Sequence, residues 1–125
     1  MPVIVVHGIP SRTRKEMLQK ITDTYQRSLA EIKELGLEKD QTSVFFVPDL
    51  LEEGLGEEII IFVRGLYEKP ERTESVLLLV ASVLGFKTKN LYFKNALVEC
   101  FVETIPTRRC WSSAEKYKPV SFTPE

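Results

Sequence analysis

Apolar residues run unbroken from Val3 to Val6, and β-branched side chains of this kind favour a strand, so residues 2–7 read as the first strand. Proline has no N–H and is confined to the first residue of a strand, an edge or a bulge, which makes Pro2 the opening residue. Gly8-Ile9-Pro10 then turns the chain. Beyond it Met17, Leu18, Ile21, Tyr25, Leu29 and Ile32 fall at helical spacing and form one face of a long helix. Thr13 and Glu16 spell a T-x-x-E capping box at its start, and Gly36 is the expected C′ stop. Residues 43–47 predict a second strand, which Pro48 ends or places at an edge. LLEEGLGE (50–57) is the middle loop, and 58–67 the third strand. Pro70 opens a second helix, apolar from Val76 to Leu84, ending at Gly85 or near Asn90. Residues 96–105 form the fourth strand. The tail beyond Trp111 carries Pro119 and Pro124 and has no period.

A repeat underlies this order. VHGI (6–9) followed by PSRT (10–13) matches VRGL (63–66) followed by PERT (70–73), the second copy carrying the extra residues Tyr67-Glu68-Lys69. Each copy leads from a strand through a helix to another strand. Such a short unit is most simply a parallel pair with a right-handed crossover. The expected fold is therefore α+β: two β-α-β units, residues 1–50 and 57–106, forming a four-stranded mixed sheet with two helices on one face, and a tail over 107–125. The opposite face should be polar in a monomer, yet strand three reads IIIFV, and in strand four Leu97 and Phe101 oppose the row Ala96, Val98, Cys100, Val102. An apolar sheet with one helical layer needs a second cover. Self-association about closed symmetry supplies it economically; the C-terminal tail is the competing cover.

Composition narrows the function classes. The chain has 125 residues, 28% charged and 43% hydrophobic, with a net charge of −1, so no global field favours nucleic acid or anionic lipid. The run from Val76 to Ala81 is too short to cross a bilayer, no secretory signal is evident, and Cys100 and Cys110 read as free thiols of a reducing, cytoplasmic compartment. Two cysteines and the single His7 fall short of a zinc site, and no cofactor is called for.

The Pro2 strand, the duplicated units and the sheet that wants partners together resemble the tautomerase superfamily: macrophage migration inhibitory factor, 4-oxalocrotonate tautomerase, malonate semialdehyde decarboxylase and the chloroacrylate dehalogenases. IFVRGLYEKPER (61–72), ITDTY (21–25) and ETIP (103–106) are most like the cis-type chloroacrylate dehalogenase branch. The likeness covers residues 1–106. It implies a trimer and an amino-terminal proline, freed by removal of Met1, that acts as general base in tautomerases and as acid in dehalogenases. It also implies cations that hold a small carboxylate. The branch's two arginines at i and i+3 match Lys69 and Arg72 if one residue is inserted; an ungapped match gives Glu68 and Glu71. Lysine supplies a point charge and cannot make the bidentate fork of arginine. Arg64, Arg108 and Trp111 are further candidates for substrate binding, Arg64 serving equally well as an ion-pair residue. Tyr25 falls where that branch has a histidine and reads as core packing. RRCWSSAEKY (108–117) has no match to the branch's water-activating glutamate, Glu115 being unaligned, which weakens dehalogenase or hydratase chemistry. His7 reads as structural.

The chemistry needs this grouping. An α-amino group titrates near about 7.7–8.0, and desolvation and nearby cations both disfavour its charged form. A base poised near neutrality moves a proton between carbon and oxygen, a step worth ~10²–10⁴-fold, while the same cations stabilise the developing enolate. The sequence thus predicts a tautomerase-like isomerase with Pro2 as general base acting on a small oxo-acid or enol carboxylate. Three alternatives stand beside it: a non-catalytic oligomeric binding protein of the same fold, a hydratase or dehalogenase of the same superfamily, and a ferredoxin-like β-α-β-β-α-β domain. An RNA-binding version of the last lacks the RNP1 pattern and a basic stripe.

Overall fold

The computed structural model describes residues 2–51, 57–106 and 111. Strand β1 (Val3–Ile9) leads into helix α1 (Lys15–Glu31) and strand β2 (Ser43–Pro48); strand β3 (Glu58–Tyr67) leads into helix α2 (Glu74–Lys87) and strand β4 (Leu97–Ile105). The sheet order is β2-β1-β3-β4. β1 and β2 are parallel, β3 and β4 are parallel, and β1 meets β3 antiparallel. A ferredoxin-like domain splits its β-α-β units, whereas here the two strands of each unit are direct neighbours. That arrangement is therefore excluded.

The repeat is visible in the backbone. Val5 pairs with Phe62 and Val6 with Ile61, so a local twofold axis runs through the middle of the central ladder. On either side of it a glycine with positive φ, Gly8 at 89° and Gly65 at 82°, sits where the register of its unit slips, between His7 and Ile9 and between Val63 and Leu66. Such bulges re-aim a strand. No side chain fits at Gly8, because a Cβ there would lie 2.0 Å from the Glu58 carbonyl oxygen.

Alternation in the strands decides the faces. Ile4, Val6, Ile59, Ile61, Val63 and Leu66 are fully buried beneath the helices, joined there by Ile21, Tyr25 and Leu29 of α1 and Val80 and Leu84 of α2. Val98, Cys100 and Val102 of β4 pack against this core. The helices are also tied by polar contacts. Thr88 donates to the Leu84 carbonyl at 2.6 Å, so its single proton is spent and the Tyr25 hydroxyl donates to it at 2.7 Å. Burial raises the Tyr25 phenol above its usual range, partly opposed by that hydrogen bond. Tyr25 is thus a core residue, as its helical spacing suggests.

Several boundaries differ from expectation, each for a local reason. The Thr13–Glu16 capping box does not form: α1 starts after Arg14, which makes no side-chain cap. A reciprocal box closes instead at Glu38 and Gln41, around the short 3₁₀ turn Lys39–Gln41. Gly36 does adopt the left-handed conformation (φ 64°), but it terminates the 3₁₀ turn Lys33–Leu35 rather than α1. Pro70 precedes α2 without starting it; Thr73 is the N-cap and accepts from the Val76 N–H at 3.3 Å. Of the two ends open to α2 the later one holds: Gly85 stays inside the helix, which then widens into a π turn over Thr88–Tyr92, where the Phe93 N–H reaches the Thr88 carbonyl. β2 is an edge strand, as Pro48 requires.

Candidate functional site

Pro2 is buried immediately before β1, and its carbonyl extends the ladder by accepting from the Ser43 N–H at 3.2 Å. Because β1 runs antiparallel to β3, with Val3 opposite Arg64, the start of β1 lies at the sheet end where β3 finishes and the chain turns into α2. Topology therefore brings Pro2, Arg64, Lys69 and Arg72 to one end of the sheet.

Their side chains diverge from there. Arg72 is committed to the backbone: Nη1 donates to the Tyr67 carbonyl at 2.7 Å and Nη2 to the Leu35 carbonyl at 2.8 Å. It thus ties the exit of β3 to the turn that follows α1. Its Nε is buried without a hydrogen-bond partner among the described residues. Burial lowers the guanidinium's pKa, with Glu71 acting in the opposite sense. Arg64 projects from the sheet's open face, stacked 4.5 Å above the Phe62 ring, with Nε 3.6 Å from Glu103; it is the ion-pair role that the chain itself satisfies. Lys69 is exposed. A cavity of about 430 Å³ is lined by Glu68, Lys69, Pro70, Arg72 and Glu74, with Leu77, Thr104 and Pro106. Both gapped candidates, Lys69 and Arg72, reach this cavity; of the ungapped pair Glu68 does and Glu71 does not. Two glutamates offset the two cations, and Pro2 is not among the lining residues. Within one chain, proline and cavity share an end of the sheet without sharing a wall.

Trp111 is 71% exposed. Arg108, Glu115 and Cys110 lie outside the described residues. Burial pushes the Cys100 thiol up to about 12, which keeps it protonated and inert at neutral pH. No group of three or more His, Cys, Asp or Glu side chains among the described residues could hold a metal ion, and no helix among them is long and apolar enough to cross a membrane.

The sequence reading missed a larger cavity, about 630 Å³, at the opposite end of the sheet. His7, Gly8, Pro10, Arg12, Asp49 and Glu58 are among its walls. It is the first unit's counterpart of the Lys69–Arg72 cavity, since Pro10 and Arg12 correspond to Pro70 and Arg72 in the repeat. The signal that could have found it was therefore the repeat itself. Ile59 takes the place of Pro2 there, so this copy has no imino nitrogen to offer. His7 packs edge-on against Phe62, with ring centroids 5.6 Å apart.

The middle of the sheet's open face is apolar, across the row Phe45, Val5, Phe62 and Phe101. Phe45 is 58% exposed, Leu97 and Phe101 nearly half, and Phe62 and Phe101 stack at 5.5 Å.

No family model matches the sequence, and no curated protein matches it. Solved structures do. A wild-type fused 4-OT, solved as an asymmetric trimer, superposes with a TM-score of 0.60 at 14% identity, over 82% of this chain and 86% of that one. Native Ps01740 gives 0.62 at 11% identity, over 88% and 99%. A malonate semialdehyde decarboxylase, described for decarboxylase and hydratase activities, gives 0.52 at 11% identity over 89% of each chain. The fold is that of the tautomerase superfamily, with the mixed four-stranded sheet and two helices of these neighbours.

Proposed function

We propose that this protein is a tautomerase-like isomerase that uses Pro2, freed by removal of Met1, as general base on a small oxo-acid or enol carboxylate. The observation that supports this reading best is the burial of Pro2 at the sheet end to which β3 delivers the cations. In the reaction the imino nitrogen takes the enol proton and returns it to carbon, leaving the ketone; no atom is gained or lost. Lys69 holds the substrate carboxylate as a point charge. The desolvated Arg72 contributes positive potential from its fixed place, which disfavours the ammonium form of the proline. Arg108 and Trp111 stand as further candidates for substrate binding, while Arg64 stays paired with Glu103 on the open face.

Self-association belongs to this reading. The open apolar face needs a cover, and a trimer of sheets facing inward provides it. The fused 4-OT neighbour is an asymmetric trimer. A second chain at the sheet end would also supply the wall that Pro2 lacks within its own chain.

The test combines intact mass with activity. The purified chain should lack Met1, and it should convert the enol form of phenylpyruvate or a 2-hydroxydienoate. Pro2→Ala should lower the rate at least ~10²-fold with an unchanged far-UV spectrum. Full activity in Pro2→Ala, or a mature chain that keeps Met1, refutes the catalytic reading and leaves the non-catalytic binding protein. The malonate semialdehyde decarboxylase neighbour, with its decarboxylase and hydratase activities, motivates a second assay on small oxo-acids. Turnover there, without enol conversion, would move the assignment to that chemistry.

A further inference from the structure

The Lys69–Arg72 cavity carries as much negative charge as positive, and that balance limits what it can hold. Glu68 and Glu74 stand in its walls with Lys69 and Arg72, so the formal charges of the four side chains cancel. Arg72 has little grip left to offer. Both of its terminal nitrogens donate to carbonyls, those of Tyr67 and Leu35, and its Nε is buried. It adds positive potential but not the bidentate fork that fixes a carboxylate. Lys69 is the one exposed cation among the described walls, a point charge suited to a single carboxylate. The first turn of α2 is the other place where an anion would be favoured, and it is already served. There the Thr73 hydroxyl accepts from the Val76 N–H at 3.3 Å, and Glu74 occupies the turn.

We infer that this cavity selects a substrate with one carboxylate and an otherwise uncharged body and rejects the matching dicarboxylate, a selection that rests on the tautomerase reading above and narrows its substrate class. Lys69 pairs with the carboxylate next to the reacting enol, with the potential of Arg72 behind it. A second carboxylate in the same cavity meets Glu68 and Glu74 without a counter-ion of its own, and like charges so placed repel. A neutral donor at that end, a hydroxyl or a carboxamide, instead finds acceptors in the two glutamates. The counterpart cavity beside Gly8 is no better host for a dianion, since it sets Asp49, Glu57 and Glu58 against the single arginine Arg12. Neither end of the sheet therefore favours a doubly charged acid.

The test uses the full chain and two isosteric acids, hexanedioate and its monoamide, which differ in charge but hardly in shape. An NMR titration should show the monoamide bound at least ~5-fold more tightly, as one unit-charge repulsion at about 4 Å in water gives. The gap should narrow as salt screens the exposed glutamates. The double variant Glu68→Gln/Glu74→Gln should bring the two affinities together, and Lys69→Gln should weaken the monoamide at least ~5-fold. The same order of affinities is expected in Pro2→Ala, so binding reads the cavity independently of catalysis. In turnover, the terminal monoamide of a 2-hydroxydienedioate should have a higher kcat/KM than the dicarboxylate itself. Selective binding without turnover keeps the charge selection and refutes the tautomerase reading alone. Equal or tighter binding of hexanedioate overturns the proposal, whichever residue supplies the second cation. So does a preference that the double glutamate variant leaves intact, a monoamide affinity that Lys69→Gln leaves unchanged, or binding of neither acid.

Discussion

α1 and α2 hold equivalent places in two copies of one structural unit, and they solve the outer surface in opposite ways. α1 buries Ile21, Tyr25, Ser28 and Leu29 and turns charge outward, where Asp23 pairs with Arg27 one turn on and with Lys39 from the following segment. α2 buries Val76, Val80 and Leu84 on the same pattern, yet offers leucine and phenylalanine outward. The inward faces agree because the same sheet demands the same spacing. The outward faces answer to surroundings that the fold does not dictate, so their divergence points to different neighbours. The turns before the helices diverge as well: Arg72 is pinned by two carbonyls while Arg12 is exposed.

That contrast can be broken by paired substitutions. Arg72→Ala removes two charge-assisted hydrogen bonds and should cost about 1–3 kcal/mol in urea unfolding; Arg12→Ala should stay within about 0.5 kcal/mol. Equal losses would mean that the two turns are energetically alike. Thr73→Ala deletes a working N-cap and should cost about 1 kcal/mol. Thr13→Ala, whose side chain caps nothing, should be neutral within about 0.5 kcal/mol. The smallest effect concerns pH. The folded Cys100 thiol titrates near 12 against 9.0 as its ordinary value. Its pKa is raised by folding, so its contribution is complete below pH 9 and fades as pH climbs towards 12, where the unfolded chain ionises first. Cys100→Ala should flatten the fall in melting temperature across that window, measured against the parent chain.

The strands were the most legible part of the chain. The run Glu58–Tyr67 is apolar on both faces and bounded by charge, so both of its ends could be read directly. Helix termini were harder, because a capping box is only a spacing of residue types: T-x-x-E stands at 13–16, but the chain starts its helix one residue later than that box needs. For the second helix the sequence left two ends open, Gly85 or near Asn90, and the chain takes the longer course, through Lys87 into the π turn Thr88–Tyr92, since a right-handed helix accepts glycine when its neighbours pack well. At the candidate site, the sequence could place Lys69 and Arg72 after β3 but not show where they point. The diversion of Arg72 to the Leu35 carbonyl depends on a contact across 37 positions that no local pattern encodes. The cavity beside Gly8 was implicit in the repeat, whose first copy supplies Pro10 and Arg12 to its walls.

The ladder bond between the Pro2 carbonyl and Ser43 has a practical consequence for anyone handling this protein. Whatever is joined ahead of Pro2 leaves from a buried position at the rim of the sheet, not from a loose thread. An affinity leader fused there would crowd this end of the sheet, so recombinant material is better purified by a carboxyl-terminal handle.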